Sequence, residues 1–148
     1  MSATHGNSIK ASQIITLDSN ILISGFDPHN LLHPSCRQLL EQIHQKSPQI
    51  FISVLVFQEF LVKIYSAGLE KDLSKYEDYL TANGRFTVVD VTRSIARLSA
   101  KIRSIHPSIK TPDSLHIATA IDQKTNLFLT TDTHLPKKIS SLSIQTIL

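Results

Sequence analysis

IITLDSNILI, residues 14–23, reads as a strand that stops at a carboxylate and hands over to a helix. Ile14-Ile15-Thr16-Leu17 is a short β-favouring run that ends at Asp18, and after Ser19-Asn20 a second apolar run, Ile21-Leu22-Ile23, begins. The first run predicts a buried strand, the break a turn, and the second run a short helix. The same alternation continues toward the C-terminus. A loop with Gly25, Pro28 and Pro34 leads to Leu39, Leu40 and Ile43, which fall at helical spacing through His44. Pro48 then separates that helix from a second strand, Ile50-Phe51-Ile52-Ser53. From Val54 the stretch VLVFQEFLVKIYSAG allows several helical turns, closes at Gly68 as a C-cap, and carries Glu59 inside an apolar context.

An amphipathic, charged helix is expected from Leu69 to about Ala82, closed by the turn pair Asn83-Gly84. Phe86 to Asp90 predicts a third strand, and Thr92 an N-cap for a helix with the apolar stripe Ile95, Leu98, Ile102 and Ile105. Thr111-Pro112-Asp113 opens the next helix, with proline suited to its first turn and an acid favoured there by the dipole. Leu127 to Thr131 predicts a fourth strand ending at Asp132, and Ser143 to Ile147 a fifth. Strands separated by helices imply parallel pairing through right-handed crossovers. The expected fold is therefore α/β, a three-layer α/β/α sandwich around a twisted, parallel sheet of about five strands. In such sheets ligands bind beyond the carboxyl ends of the strands, near the switch point in strand order. Asp18 and Asp132 both stand at strand ends.

A chain of 148 residues with 41% hydrophobic content suits one core. Residues 1–12 are polar and aperiodic and predict a disordered segment, which leaves 13–148 as a single domain. The single cysteine, Cys36, rules out an intrachain disulfide and zinc-finger spacing, and reads as a half-buried helix residue. No stretch resembles a signal peptide or a membrane span, so a cytoplasmic protein without membrane association is expected. A formal charge of +3 tolerates a nucleic-acid partner without demanding one.

Only 12 acidic residues are present, and the informative ones stand where a solvated acid would not. Asp18 lies between two apolar runs, and Glu59 between Phe57-Gln58 and Phe60. Buried acids of like sign are costly unless a cation compensates them. An all-oxygen set of ligands suits Mg²⁺ or Mn²⁺ better than zinc. Taken singly, each acid has an ordinary structural reading: Asp18 as a turn residue, Asp113 as a helix-opening acid, Asp132 as a loop start, Glu59 as a snorkelling surface group. Together they occupy elements that an α/β/α fold can bring to one sheet edge.

Four pieces of the chain also resemble the PIN-domain nucleases, in particular the VapC-like toxin ribonucleases of type II toxin–antitoxin pairs. They are Leu17-Asp18-Ser19-Asn20-Ile21-Leu22, the stretch from Ser53 to Glu59, the stretch Thr111-Pro112-Asp113-Ser114-Leu115-His116-Ile117-Ala118-Thr119-Ala120, and Leu129-Thr130-Thr131-Asp132. The resemblance implies a metal-dependent endoribonuclease in which Asp18, Glu59, Asp113 and Asp132 gather around one or two Mg²⁺ or Mn²⁺ ions. It also implies supporting polar roles for Asn20 and Thr130, an RNA substrate, a cognate antitoxin protein and a homodimer. Thr131 stands where an asparagine is common in the family.

Arg93, Arg97 and Lys101 recur every four residues, opposite the apolar stripe of their helix, and could track an RNA backbone or simply be a solvated face. Lys110, just before Asp113, is a further phosphate contact candidate. His116, one turn after Asp113, reads as a packing residue that supports the acids by hydrogen bonding. His29 and His33 have zinc-like spacing, but Pro28 and Pro34 bracket them and predict a loop. Tyr65, Tyr76 and Tyr79 fall on helices, away from any strand-surface stacking platform. Two other functions fit the same fold. One is a catalytically quiet RNA- or protein-binding module, which a missing acid would favour. The other is an aspartate-nucleophile phosphatase or related phosphotransfer enzyme, which would want a second acid beside Asp18.

Overall fold

A computed structural model describes residues 8–148. Strand β1 (Ile14–Leu17) runs into α1 (Ser19–Phe26), and α2 (His33–Lys46) leads to β2 (Gln49–Ser53) and α3 (Val54–Ser66). Then follow α4 (Leu73–Thr81), β3 (Phe86–Val89), α5 (Arg93–Ile105), α6 (Thr111–Asp122), β4 (Leu127–Thr130), β5 (Lys138–Ile139) and β6 (Leu142–Thr146). The strand order is β3-β2-β1-β4-β6-β5, parallel except for the antiparallel pair of β5 with β6. The sheet thus has six strands where about five were expected. The added one is β5, whose two residues fold back on β6 and carry too little pattern to be read as a strand.

Side chains alternate across the sheet and build a core on each face. Ile15, Leu17, Ile50, Ile52 and Leu129 pack with α1, α2, α3 and α4 on one side. Phe128, Leu142 and Ile144 pack with α5 and α6 on the other. These two cores give the three-layer α/β/α sandwich.

Local signals place the helix ends well. Gly68, at φ +70°, closes α3 with Gly68 N–H donating to Tyr65 O and Leu69 N–H to Ile64 O, the paired bonds of a Schellman end. The Thr92 hydroxyl accepts from Ile95 N–H at 3.2 Å and caps α5. The helix expected over 69–82 is instead α4 framed by 3₁₀ turns at Glu70–Asp72 and Ala82–Gly84. On α5, Ile95 and Ile102 are buried but Ile105 is 63% exposed, because the helix ends there and its last turn leaves the sheet. Cys36 is fully buried, not half-buried, since α2 presses it against the core. Of the polar N-terminal segment, residues 1–7 lie outside the described residues. Ile9 is buried in the same core as the side chains of α1 to α4, so ordered packing starts ahead of Gln13. Among the described residues no helix is long and apolar enough to cross a membrane.

The chain moves outward from β1 through β2 to β3, then crosses to β4 on the other side of β1. The switch point therefore lies between β1 and β4, where Asp18 and Asp132 follow their strands.

Candidate metal centre

Asp18 is the hinge of the site. Its backbone N–H donates to Leu129 O at 2.9 Å and so continues the β1–β4 pairing, while its extended φ and ψ turn the chain into α1. Its carboxylate is 2% exposed as a residue, and accepts from Ser19 N–H at 2.8 Å on Oδ1 and from the Thr130 hydroxyl at 2.7 Å on Oδ2. Burial pushes its carboxyl above the ordinary range, and the His116 ring and the two hydrogen bonds pull only partly against that.

Glu59 reaches the same spot from α3. Its Oε1 faces His116 Nε2 at 3.2 Å and its Oε2 accepts from the Ser19 hydroxyl at 2.5 Å. The His116 hydrogen bond, helped by that of Ser19, holds the Glu59 carboxyl below its usual range, against a partial burial that raises it. Asp113 stands in the first turn of α6, half-buried, and among the described residues no hydrogen bond reaches its carboxylate. Burial raises its carboxyl, and the charges of Asp18, Asp132 and Glu59 add to the rise against His116. The four acids therefore share one electrostatic field.

The structure brings Asp18, Glu59 and Asp113 together, with Asp132 at their margin. The Asp132 carboxylate is 29% exposed and turns into its own loop, accepting from His134 N–H at 2.8 Å and facing His134 Nδ1 at 3.2 Å. Thr130 links the two strand ends: its hydroxyl oxygen accepts from Asp132 N–H at 3.0 Å while its proton goes to Asp18. Asn20 is exposed at the start of α1, and no hydrogen bond joins it to the acids among the described residues. Arg93, Arg97, Lys101 and Lys110 are exposed on or beside α5 and α6.

Three contributors escaped the sequence reading. Ser19 joins Asp18 to Glu59, Ser53 holds the Nδ1 edge of His116 at 2.8 Å, and Arg103 donates to Ile109 O and the Thr111 hydroxyl at 3.0 and 2.9 Å, bracing the start of α6. Serine after an acid carries no distinctive pattern, so only Ser53, an N-cap before an apolar helix, gave any signal.

Asp18, Asp113 and His116 offer ligand atoms that all lie within 4.8 Å of one another. No lysine or arginine pairs with any of the four acids among the described residues. The cluster has too little positive charge of its own, and its hard carboxylate oxygens fit a divalent cation.

The PIN domain family model matches residues 15–139. Comparison with curated proteins finds no match. Among solved structures, a toxin–antitoxin complex from Klebsiella pneumoniae superposes with a TM-score of 0.69 at 24% identity, covering 86% of this chain and 94% of that one. VapBC2 from Rickettsia felis, bound to a DNA fragment from its promoter, gives 0.69 at 21% identity over 90% and 98% of the two chains. VapC20 from Mycobacterium tuberculosis, described as a Sarcin-Ricin loop cleaving toxin, gives 0.63 at 13% identity over 77% and 86%. With the match spanning every element from β1 to β5, and with the acids meeting at the switch point of the sheet, the chain belongs to the PIN domain family.

Proposed function

We propose that this chain is a divalent-metal-dependent endoribonuclease and the toxin of a toxin–antitoxin pair. The observation that carries the catalytic half is the convergence of Asp18, Glu59, Asp113 and Asp132 at one sheet edge without, among the described residues, a lysine or arginine to neutralise them. Asp18 and Asp113 would hold a Mg²⁺ or Mn²⁺ ion, with Glu59 and Asp132 completing its surroundings directly or through water. Such an ion would activate water as a nucleophile and offset the negative charge that builds on the phosphoryl oxygens. The chain's own residues do the rest. Thr130 and the Ser19 N–H fix both oxygens of Asp18, so that its carboxylate does not reorient as charge develops. Asp132, braced by Thr130 and more open to solvent, is placed to orient an attacking water or to help hold a second ion.

RNA as substrate is supported by the solvent-facing cations. Arg93, Arg97 and Lys101 line the outer side of α5, and Lys110 stands three residues before Asp113. The structural neighbour that cleaves the Sarcin-Ricin loop has the same fold. The toxin half rests on the toxin–antitoxin neighbours and on an apolar groove between α1, α3 and α4, lined by Ile23, Phe26, Phe60, Ile64, Leu69 and Tyr76, which an antitoxin segment could fill. Exposed Val62, Tyr65 and Leu69 support self-association as a homodimer. Light scattering at micromolar concentration should give a dimer, and a clean monomer would remove that element of the reading.

The test of activity is induction of the wild type and of Asp18→Asn, followed by sequencing of cleaved RNA ends. The wild type should yield a defined set of new ends, and Asp18→Asn should yield none above background. Full metal-dependent cleavage by purified Asp18→Asn would overturn the assignment.

A further inference from the structure

His116 is tied into the acidic site from both sides of its ring. The ring is completely buried, both nitrogens have partners, and those partners lie 63 and 57 residues away in sequence. We propose that His116 is a positioning residue, not a metal ligand: the Ser53 hydroxyl donates to Nδ1, the ring proton therefore sits on Nε2, and Nε2–H holds Glu59 beside Asp18 and Asp113.

The hydrogen bonds allow one arrangement in which every group is satisfied. Ser53 Oγ already accepts from Val56 N–H at 3.2 Å as the N-cap of α3, and its proton points to His116 Nδ1 at 2.8 Å. An imidazole that accepts at Nδ1 carries its proton at Nε2, which is what the Glu59 carboxylate at 3.2 Å needs. In the opposite tautomer a bare Nε2 would face a carboxylate oxygen, and the Ser53 proton would be left without a partner among the described residues. Burial of the ring makes that arrangement costly.

The consequence is a carboxylate pinned from three elements. Glu59 rides on α3, its Oε2 is held by Ser19 of α1, and its Oε1 by His116 of α6. His116 lies three residues after Asp113, so both share a face of α6 and the clamp fixes Glu59 against the helix that presents Asp113. His116 Nε2 is close enough to Asp18 and Asp113 to be a ligand. Ligation would require it to shed its proton and release Glu59, and Ser53 opposes both. The catalytic value of this clamp rests on the nuclease reading, whereas its geometry does not.

The test uses the full chain with ¹⁵N-labelled histidine. The ring signals of His116 are assigned by their loss in His116→Gln, and long-range ¹H–¹⁵N correlations report which nitrogen carries the proton. The expected result is a protonated Nε2 and a bare Nδ1, unchanged by MgCl₂. With MnCl₂ and unlabelled protein, electron spin echo spectra should show no directly bonded ¹⁴N that disappears in His116→Gln. A protonated Nδ1, or such a ¹⁴N coupling, overturns the proposal. In cleavage assays His116→Asn, which reaches Ser53 but not Glu59, should lower kcat about 10–100-fold with KM little changed. His116→Gln, which can still donate to Glu59, should recover most of that loss, and equal losses in the two variants would overturn the clamp. Should the Asn variant fail to fold, the ring and Mn²⁺ spectra decide. If the wild type cleaves no RNA, the nuclease reading fails while those spectra still judge the tautomer.

Discussion

Asp113 carries the charge that the fold accommodates least well. Burial and three like charges raise its carboxyl, and although its place in the first turn of α6 favours a negative charge, the net shift shows that this help is outweighed. The sign of the pH dependence follows. A carboxyl whose folded value lies above its ordinary 3.8 binds protons more tightly folded than unfolded. Its ionisation therefore weakens the fold as pH rises through that raised value. Asp18 acts in the same direction, and Glu59, held low, acts in the opposite one below its ordinary 4.5. In EDTA, Asp113→Asn should melt a few degrees higher than the wild type at pH 7, given about 2–4 °C per kcal/mol for a chain of this size. The gain should shrink as pH falls toward the ordinary carboxylate range. Thermal melts from pH 4 to 8 check this, and an Asn variant that melts lower at pH 7 would mean that the cluster is already neutralised from within. At this scale the sequence was informative wherever a carboxylate interrupts an apolar context. Asp18 and Glu59 stood out for that reason, and Asp113 because proline precedes it at a helix start. Of the partners that hold them, Thr130 and His116 were expected as supporting groups, but not that His116 holds Glu59 or that Ser19 does: these meet Glu59 across 57 and 40 residues, and no local pattern encodes such a meeting.

Helix α5 separates two kinds of cation on one element. Arg97 and Lys101 are exposed and make no ion pair among the described residues, whereas Arg103 spends its guanidinium on Ile109 O and the Thr111 hydroxyl. The first pair is therefore free to meet phosphate and the third braces the start of α6. Replacing Arg97 and Lys101 with alanine should leave the melting temperature within about 2 °C, since surface changes are usually worth less than about 0.5 kcal/mol. It should flatten the salt dependence of single-stranded RNA binding by roughly 0.7 for each lost phosphate contact. Arg103→Ala should do the reverse, costing on the order of 1 kcal/mol of stability with the salt slope retained. Binding isotherms at several salt concentrations, beside melts, separate the two. An unchanged slope in the double variant would assign that stripe to solvent alone. The elements themselves were readable because apolar period and caps agree, as at Thr92 and Gly68. What failed was confined to ends and edges. Ile105 completes the apolar period of α5 but lies past the sheet, and β5 exists only because β6 offers it an edge.

For the molecule as a whole, the sheet is stable on its two cores while its acidic edge holds like charges together, so binding of any cation there and stability must be linked. Any cation that binds the folded cluster and not the unfolded chain stabilises by about 2.7 kcal/mol at 100 times its dissociation constant. For this chain that corresponds to a rise of roughly 5–10 °C by the scaling of about 2–4 °C per kcal/mol. Mn²⁺ or Mg²⁺ should therefore raise the melting temperature in a saturable way, and EDTA should reverse it. The rise should be largest near neutral pH, where Asp18 and Asp113 are most ionised, and should fade in acid as protons compete for the same oxygens. Asp18→Asn should lose most of the shift while keeping its circular dichroism, because the amide oxygen can still accept from Ser19 N–H while the amide NH₂ donates to the Thr130 hydroxyl oxygen, whose proton turns away. Calorimetric scans of both proteins with increasing MnCl₂ measure this. A shift of equal size in wild type and variant would place the cation elsewhere on the surface, and no shift in either would leave the four acids without the counter-ion that the nuclease reading requires.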